Sequence, residues 1–166
     1  GDEILISEME HHANIVPWQQ VAQKTGAKIK IVPITENGEL DIHEFCNKLN
    51  ERTKIVSMLQ TSNALGTELP MRDIISKAHN AGAVVLVDAC QSIVHQPIDV
   101  QALDADFLVF SGHKLYGPNG TGVLYGKYHL LEQMAPYQTG GEMIQEVDLY
   151  QGTTFLEPPL RFEAGT

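Results

Sequence analysis

The sequence predicts an α/β fold in three layers, helix, sheet, helix, with a mainly parallel sheet. Short apolar runs of strand length alternate with helix-length stretches, and the connections between them are short. Polar and small side chains also cluster just after the apolar runs. Those are the strand carboxyl ends, where open α/β sheets bind ligands.

The first strand is expected over residues 4–7, followed by a helix over about 14–25 that stops at Gly26. Residues 29–34 form the next apolar run, and Asn37-Gly38 turns the chain toward Asp41. Asp41 is a good N-cap with Glu44 three positions on, for a helix running to about residue 51. Residues 55–59 read as a strand, and a polar loop surrounds Asn63 and Gly66. A third helix is expected from near Pro70 to just before Gly82, leading into the strand 84–88. Apolar runs at 107–110 and 123–125 follow, the second opened by Gly120-Thr121-Gly122. A helix over 128–134 comes next, and beyond Gly140-Gly141 the pattern becomes irregular.

With 166 residues and 43% hydrophobic content the chain can bury one core, so a single domain is expected. Acidic residues outnumber basic ones by 21 to 11, a net charge of −10, which argues against nucleic-acid or anionic-membrane partners. No apolar run approaches the ~20 residues of a membrane span. Two cysteines, Cys46 and Cys90, are too few for a disulfide framework and suit a reducing compartment, so the expected location is cytoplasmic.

The most informative stretch is Ser111-Gly112-His113-Lys114-Leu115-Tyr116-Gly117-Pro118, which sets a lysine just beyond an apolar strand. A lysine partly desolvated at a strand end gives up its proton more readily, the condition a Schiff-base lysine needs. Asp88 ends a similar run. The pair suggests pyridoxal phosphate (PLP), with Lys114 holding the aldehyde and Asp88 the ring nitrogen. Asp88 otherwise reads as a helix cap or a structural ion-pair partner. Gln91, three residues on, is within reach of a phenolate oxygen on the same ring edge, though alone it would carry no meaning. Ser111 and His113 straddle a glycine, an arrangement that suits a phosphate or simply a satisfied turn.

His11-His12 has the wrong spacing for a metal pair, because adjacent residues point apart, and no metal site is expected. One of the two is better used as an aromatic lid over a flat cofactor. Gly117-Pro118-Asn119-Gly120-Thr121-Gly122 lacks the trailing Lys-Ser/Thr of a phosphate loop and precedes a strand, so it is not one. No Gly-x-Gly-x-x-Gly follows the first strand, which weighs against a dinucleotide-binding domain.

With these residues in hand, the chain resembles the large domain of NifS-like cysteine desulfurases of the Suf/Csd type, a group that includes selenocysteine lyases. The resemblance is carried by Glu8-Met9-Glu10-His11-His12-Ala13-Asn14, Thr61-Ser62-Asn63-Ala64-Leu65-Gly66-Thr67, Val87-Asp88-Ala89-Cys90-Gln91, the Ser111–Pro118 stretch and Arg161-Phe162-Glu163-Ala164-Gly165-Thr166. It implies the major domain of the type I PLP-dependent transferase fold, like that of aspartate aminotransferase. It assigns Lys114 to the cofactor aldehyde and Asp88 to the pyridine nitrogen. His11 is implied to stack on the ring and assist proton transfer. Asn63 and Gln91 are implied to lie along the ring's oxygen edge, and Ser111 and His113 to hold the phosphate. Thr166 is implied to reach the phosphate of a neighbouring subunit, hence a homodimer.

The implied reaction converts L-cysteine, or selenocysteine, to alanine. Sulfur passes to an enzyme cysteine and on to an acceptor protein for iron–sulfur cluster assembly. The sequence starts in a strand-like run without methionine and ends at Thr166 without a closing helix. Residues 1–166 are therefore expected to be part of the large domain, with an N-terminal segment and a C-terminal small domain elsewhere. The nucleophilic cysteine is expected beyond Thr166, so this piece alone should not desulfurate. Cys46 is expected as a small core residue within a helix and Cys90 beneath the ring. An aminotransferase or kynureninase-like lyase of the same fold, or a fragment acting only through binding, are the rival readings.

Overall fold

The computed structural model describes residues 1–165. Six strands form one sheet: β1 (Glu3–Ser7), β2 (Lys28–Val32), β3 (Thr53–Leu59), β4 (Val84–Asp88), β5 (Phe107–Ser111) and β6 (Gly122–Gly126). Their order is β2-β1-β3-β4-β5-β6, and the pairs β1–β2, β1–β3, β3–β4 and β4–β5 are all parallel. Helices α1 (Val16–Thr25), α2 (Ile42–Lys48), α3 (Met71–Asn80) and α4 (Val100–Leu103) make the crossovers between the first five strands. From β1 the chain steps outward to β2, then returns past β1 to build β3, β4 and β5 in turn. Right-handed crossovers therefore put α1 on one face and α2 to α4 on the other. The strand ends beside β1 and β3 are a topological switch point.

The core agrees with that assignment. Phe45 of α2 and Ile74, Ile75 and Ala78 of α3 pack in one cluster with Val56, Met58, Val85 and Val87. Met71, Ile74, Ile75 and Ala78 recur at the spacing of one helix face, which explains why α3 docks firmly. No residue of α1 is buried.

Several boundaries differ from the sequence reading. The first helix begins at Val16, because His12–Asn14 form a separate 3-10 turn capped by His11. The second ends at Lys48, and Leu49 is its extended C-cap. Cys46 is exposed rather than in the core. Successive helix positions rotate by about 100°, so with Phe45 buried, its neighbour faces water.

The chain also divides into two compact units, 1–125 and 126–166, rather than one. In the second unit the helix expected over 128–134 is the single turn α5 (Tyr128–Leu131). The stretch that looked irregular contains an antiparallel hairpin, β7 (Ile144–Asp148) and β8 (Gly152–Phe155). In its turn the Asp148 carboxylate accepts from the backbone N–H groups of Tyr150 and Gln151, which hold its pKa below the usual range. Among the described residues, no helix is long and apolar enough to cross a membrane.

Candidate active site

Parallel strands end together, and the residues just past β1, β3, β4 and β5 meet in one pocket of about 250 Å³. Its walls carry His11, Asn63, Asp88, Gln91, Ser111, His113 and Lys114, with Ala13, Leu59, Thr61 and Cys90 between them. Seven of the eight site residues expected from the sequence are thus brought together. The eighth, Thr166, lies outside the described residues. Thr61 and Leu59 also line the pocket, and both follow from the register that pairs Leu59 with Asp88.

Asp88 closes β4 and is buried. Its Oδ1 accepts from the Cys90 backbone N–H at 2.9 Å, which fixes the carboxylate plane. Beyond the strand the ladder continues, with Gln60 N–H donating to the Asp88 carbonyl and Ala89 N–H to that of Val109. Cys90 is half-buried, with Sγ 3.7 Å from Ser111 Oγ. Burial, and then the Asp88 carboxylate, push its thiol pKa up. It is a pocket wall rather than a thiolate nucleophile.

Lys114 is half-buried in a 3-10 turn, Gly112–Leu115, directly after β5. The turn is closed by Tyr116, which takes a left-handed conformation (φ 59°) and is almost wholly exposed. An aromatic residue in that region is strained by ~1–3 kcal/mol, as happens at sites where geometry matters more than stability. The same loop is pinned from below. Gly112 N–H donates to the Thr121 carbonyl at 2.8 Å, and Gly117 N–H to that of Gly112 at 2.9 Å.

A Cβ on Gly112 would overlap Thr121 Oγ1 and lie 3.2 Å from the Thr121 carbonyl oxygen. Gly112→Ala is therefore expected to lower stability by about 1–3 kcal/mol and displace Lys114. Thermal melting reads the loss. Adding Thr121→Ala, which deletes the overlapping hydroxyl, should recover part of it.

His11 lines the same pocket from the turn after β1 and is exposed, with its Nδ1 accepting from the Ala13 N–H at 3.1 Å. In the neutral ring the proton is then on Nε2. The ring centroids of His11 and His12 are 6.0 Å apart at 42°, too splayed to share an ion. No group of three or more His, Cys, Asp or Glu among the described residues is arranged to hold a metal.

Directly before His11, Glu10 is buried. Burial raises its pKa to about 7 from 4.5, with the Asp88 charge adding to it, against hydrogen bonds from Ser7, Asn14 and Leu59 that pull it down. The raised value means the protonated form favours the fold. That contribution is complete below about 4.5 and is lost as pH rises through about 7.

The pocket's polar groups suit a flat, anionic, aldehyde-bearing ligand. They comprise one amine, one buried carboxylate, two side-chain amides, two hydroxyls, a thiol and two imidazoles. A larger groove of about 490 Å³ along Glu68, Arg72, Gln96 and Asp99 contains no lysine to bind an aldehyde.

The model of the aminotransferase class-V family matches residues 1–166. A cysteine desulfurase of Dickeya dadantii (strain 3937) is 58% identical over all of this chain and 40% of its own length. One from Yersinia pseudotuberculosis serotype O:1b (strain IP 31758) is 56% identical over 41% of its length. The crystal structure of cysteine desulfurase CsdA from Escherichia coli superposes with a TM-score of 0.96 at 49% identity, over all of this chain and 41% of that one. A C-DES mutant carrying glycine covalently linked to its PLP cofactor gives 0.88 at 29% identity, over 45% of its length. The chain thus spans about 40% of the length of the curated relatives it matches. Matched along its whole length, with its polar strand ends gathered in one pocket, this chain belongs to the aminotransferase class-V family.

Proposed function

We propose that this chain is the cofactor-binding part of a PLP-dependent cysteine desulfurase, residues 1–166 of a larger large domain. The observation that carries the proposal is Lys114 and Asp88 lining one pocket from the ends of adjacent parallel strands. Lys114 would bind the aldehyde and Asp88 the ring nitrogen, with Ser111 and His113 at the phosphate and Asn63 and Gln91 along the oxygen edge. His11 would cover the ring. When bound, PLP supplies an electron sink for the substrate's α-carbon.

This chain's own residues then divide the work. Asp88 keeps a negative charge beside the ring nitrogen. Lys114 and the Nε2 of His11 hold or move protons above the pocket. L-cysteine gives its sulfur to an enzyme thiol, leaving alanine and a persulfide (Cys–SH + enzyme–SH → alanine + enzyme–S–SH). Cys90 has its thiol pKa raised and Cys46 does not line the pocket, so the accepting cysteine is assigned to the rest of the enzyme. Selenocysteine is the alternative substrate. The enzyme works as a cytoplasmic homodimer and hands sulfur to an acceptor protein for iron–sulfur cluster assembly.

The test reduces the PLP-loaded full-length protein with borohydride and maps the label by mass spectrometry, alongside alanine release from L-cysteine. Label confined to Lys114 and stoichiometric alanine are expected. Label on another lysine, or no alanine, would sink the reading.

A further inference from the structure

His11 is exposed at the pocket and its side chain is bonded only to its own turn, so its place depends on how that turn is anchored. The anchor is a buried polar junction. Glu10 Oε1 accepts from Ser7 Oγ at 2.5 Å, and Oε2 accepts from Asn14 Nδ2 at 2.7 Å and from the Leu59 backbone N–H at 2.9 Å. Asn14 Oδ1 in turn accepts from Ser57 Oγ at 2.6 Å and Trp18 Nε1 at 3.0 Å. Asn14 N–H closes the turn onto the His11 carbonyl at 2.8 Å.

Glu10 and Asn14 thus stand on either side of the segment His11-His12-Ala13, are bonded to each other, and are both tied to alternate residues of β3. That strand also supplies Leu59 to the pocket wall. The junction crosses from β1 to β3 at the switch point of the sheet.

We propose that Glu10 is the positioning residue for His11, holding the imidazole at the pocket by locking its turn to β3. The proposal rests on the desulfurase reading for its catalytic consequence only. Glu10 acts through geometry rather than through its charge. A neutral group of the same shape satisfies the junction, in keeping with the raised pKa of the carboxyl. In Glu10→Gln the amide oxygen accepts from Asn14 and Leu59, while the amide nitrogen donates to Ser7 Oγ. Glu10→Asp keeps the charge and shortens the reach by one methylene.

The two variants are compared in the full-length protein. In histidine-labelled protein without cofactor, nitrogen spectra should show His11 as the Nε2–H tautomer in the parent and in Glu10→Gln, and a tautomer mixture in Glu10→Asp. With PLP and L-cysteine, Glu10→Gln should keep kcat within about threefold. Glu10→Asp should lose ~10²-fold in kcat with KM little changed, the scale of an ångström's misplacement.

The reverse order, Asp active and Gln inactive, would overturn the proposal in favour of a charge effect. An unchanged His11 tautomer in Glu10→Asp, with only its melting temperature lowered, would reduce Glu10 to scaffold. If Glu10→Asp does not fold, a tenfold or larger kcat loss or mixed tautomers in Glu10→Gln overturns the proposal, and parent-like behaviour there supports it. A parent enzyme that releases no alanine sinks the desulfurase reading, and the tautomer spectra still decide the role of Glu10.

Discussion

Lys114→Ala in the full-length protein is expected to abolish the borohydride-fixed label and to lower kcat by about 10³-fold, within the range lost when a positioned proton-transfer group is removed. The fold should survive. Lys114 is half-buried and no element depends on its ammonium group, whereas the turn around it is held by backbone bonds between Gly112, Gly117 and Thr121. PLP should still bind, more weakly, because the carboxylate, hydroxyl and imidazole walls remain. Lys114→Arg should be equally inactive, since a guanidinium stays protonated and cannot attack an aldehyde. Added small primary amines should restore part of the activity to the alanine variant, which has a vacancy for them, and none to the arginine variant. More than a tenth of the parent activity in Lys114→Ala, or rescue of both variants alike, would remove Lys114 from its assigned place.

The legible parts of this molecule are those written locally. Apolar runs bounded by Gly and Asp located β1 to β5, and Asp41 capped α2 as its spacing with Glu44 indicated, its side chain accepting from the Glu44 N–H. Given parallel strands, the polar residues after each run had to share a rim, so the pocket was readable without the strand order. Three features were not. The hairpin β7–β8 carries few apolar residues and little burial, and hydrophobic period is the signal that reveals strands. Cys46 was misplaced because seven residues of α2 show too short a pattern to fix which face is inward. The Glu10 junction is hidden for another reason: its donors come from Ser7, Asn14 and Leu59, the last 49 positions away. Ser7, Glu10 and Asn14 stand at the three- and four-residue spacings that let side chains meet across a turn, which was the available clue. Nothing local says that β3 lies beside β1.

Asp88→Asn is expected to separate binding from turnover. The side chain is nearly isosteric, and its Oδ1 can still accept from the Cys90 N–H, so the end of β4 and the pocket wall keep their shape. What disappears is the negative charge that would face the ring nitrogen of bound PLP. Loss of one preorganised electrostatic partner costs about 10²- to 10³-fold in kcat. PLP affinity loses a charge-assisted hydrogen bond, about 1.5–3 kcal/mol, or roughly ten- to a hundredfold in Kd. Saturating PLP therefore restores occupancy without restoring rate. An internal control comes from Glu10, whose pKa the Asp88 carboxylate helps to raise. Neutralising Asp88 should move Glu10 down from about 7, toward but not reaching 4.5, because burial remains the larger cause. The pH at which folded-state stability declines should shift down with it. Parent-like turnover in Asp88→Asn at full PLP occupancy would refute the electrostatic role. A large kcat loss with Glu10 titration unmoved would place the two carboxylates in separate environments, against the geometry that joins Glu10 to Leu59 and Leu59 to Asp88.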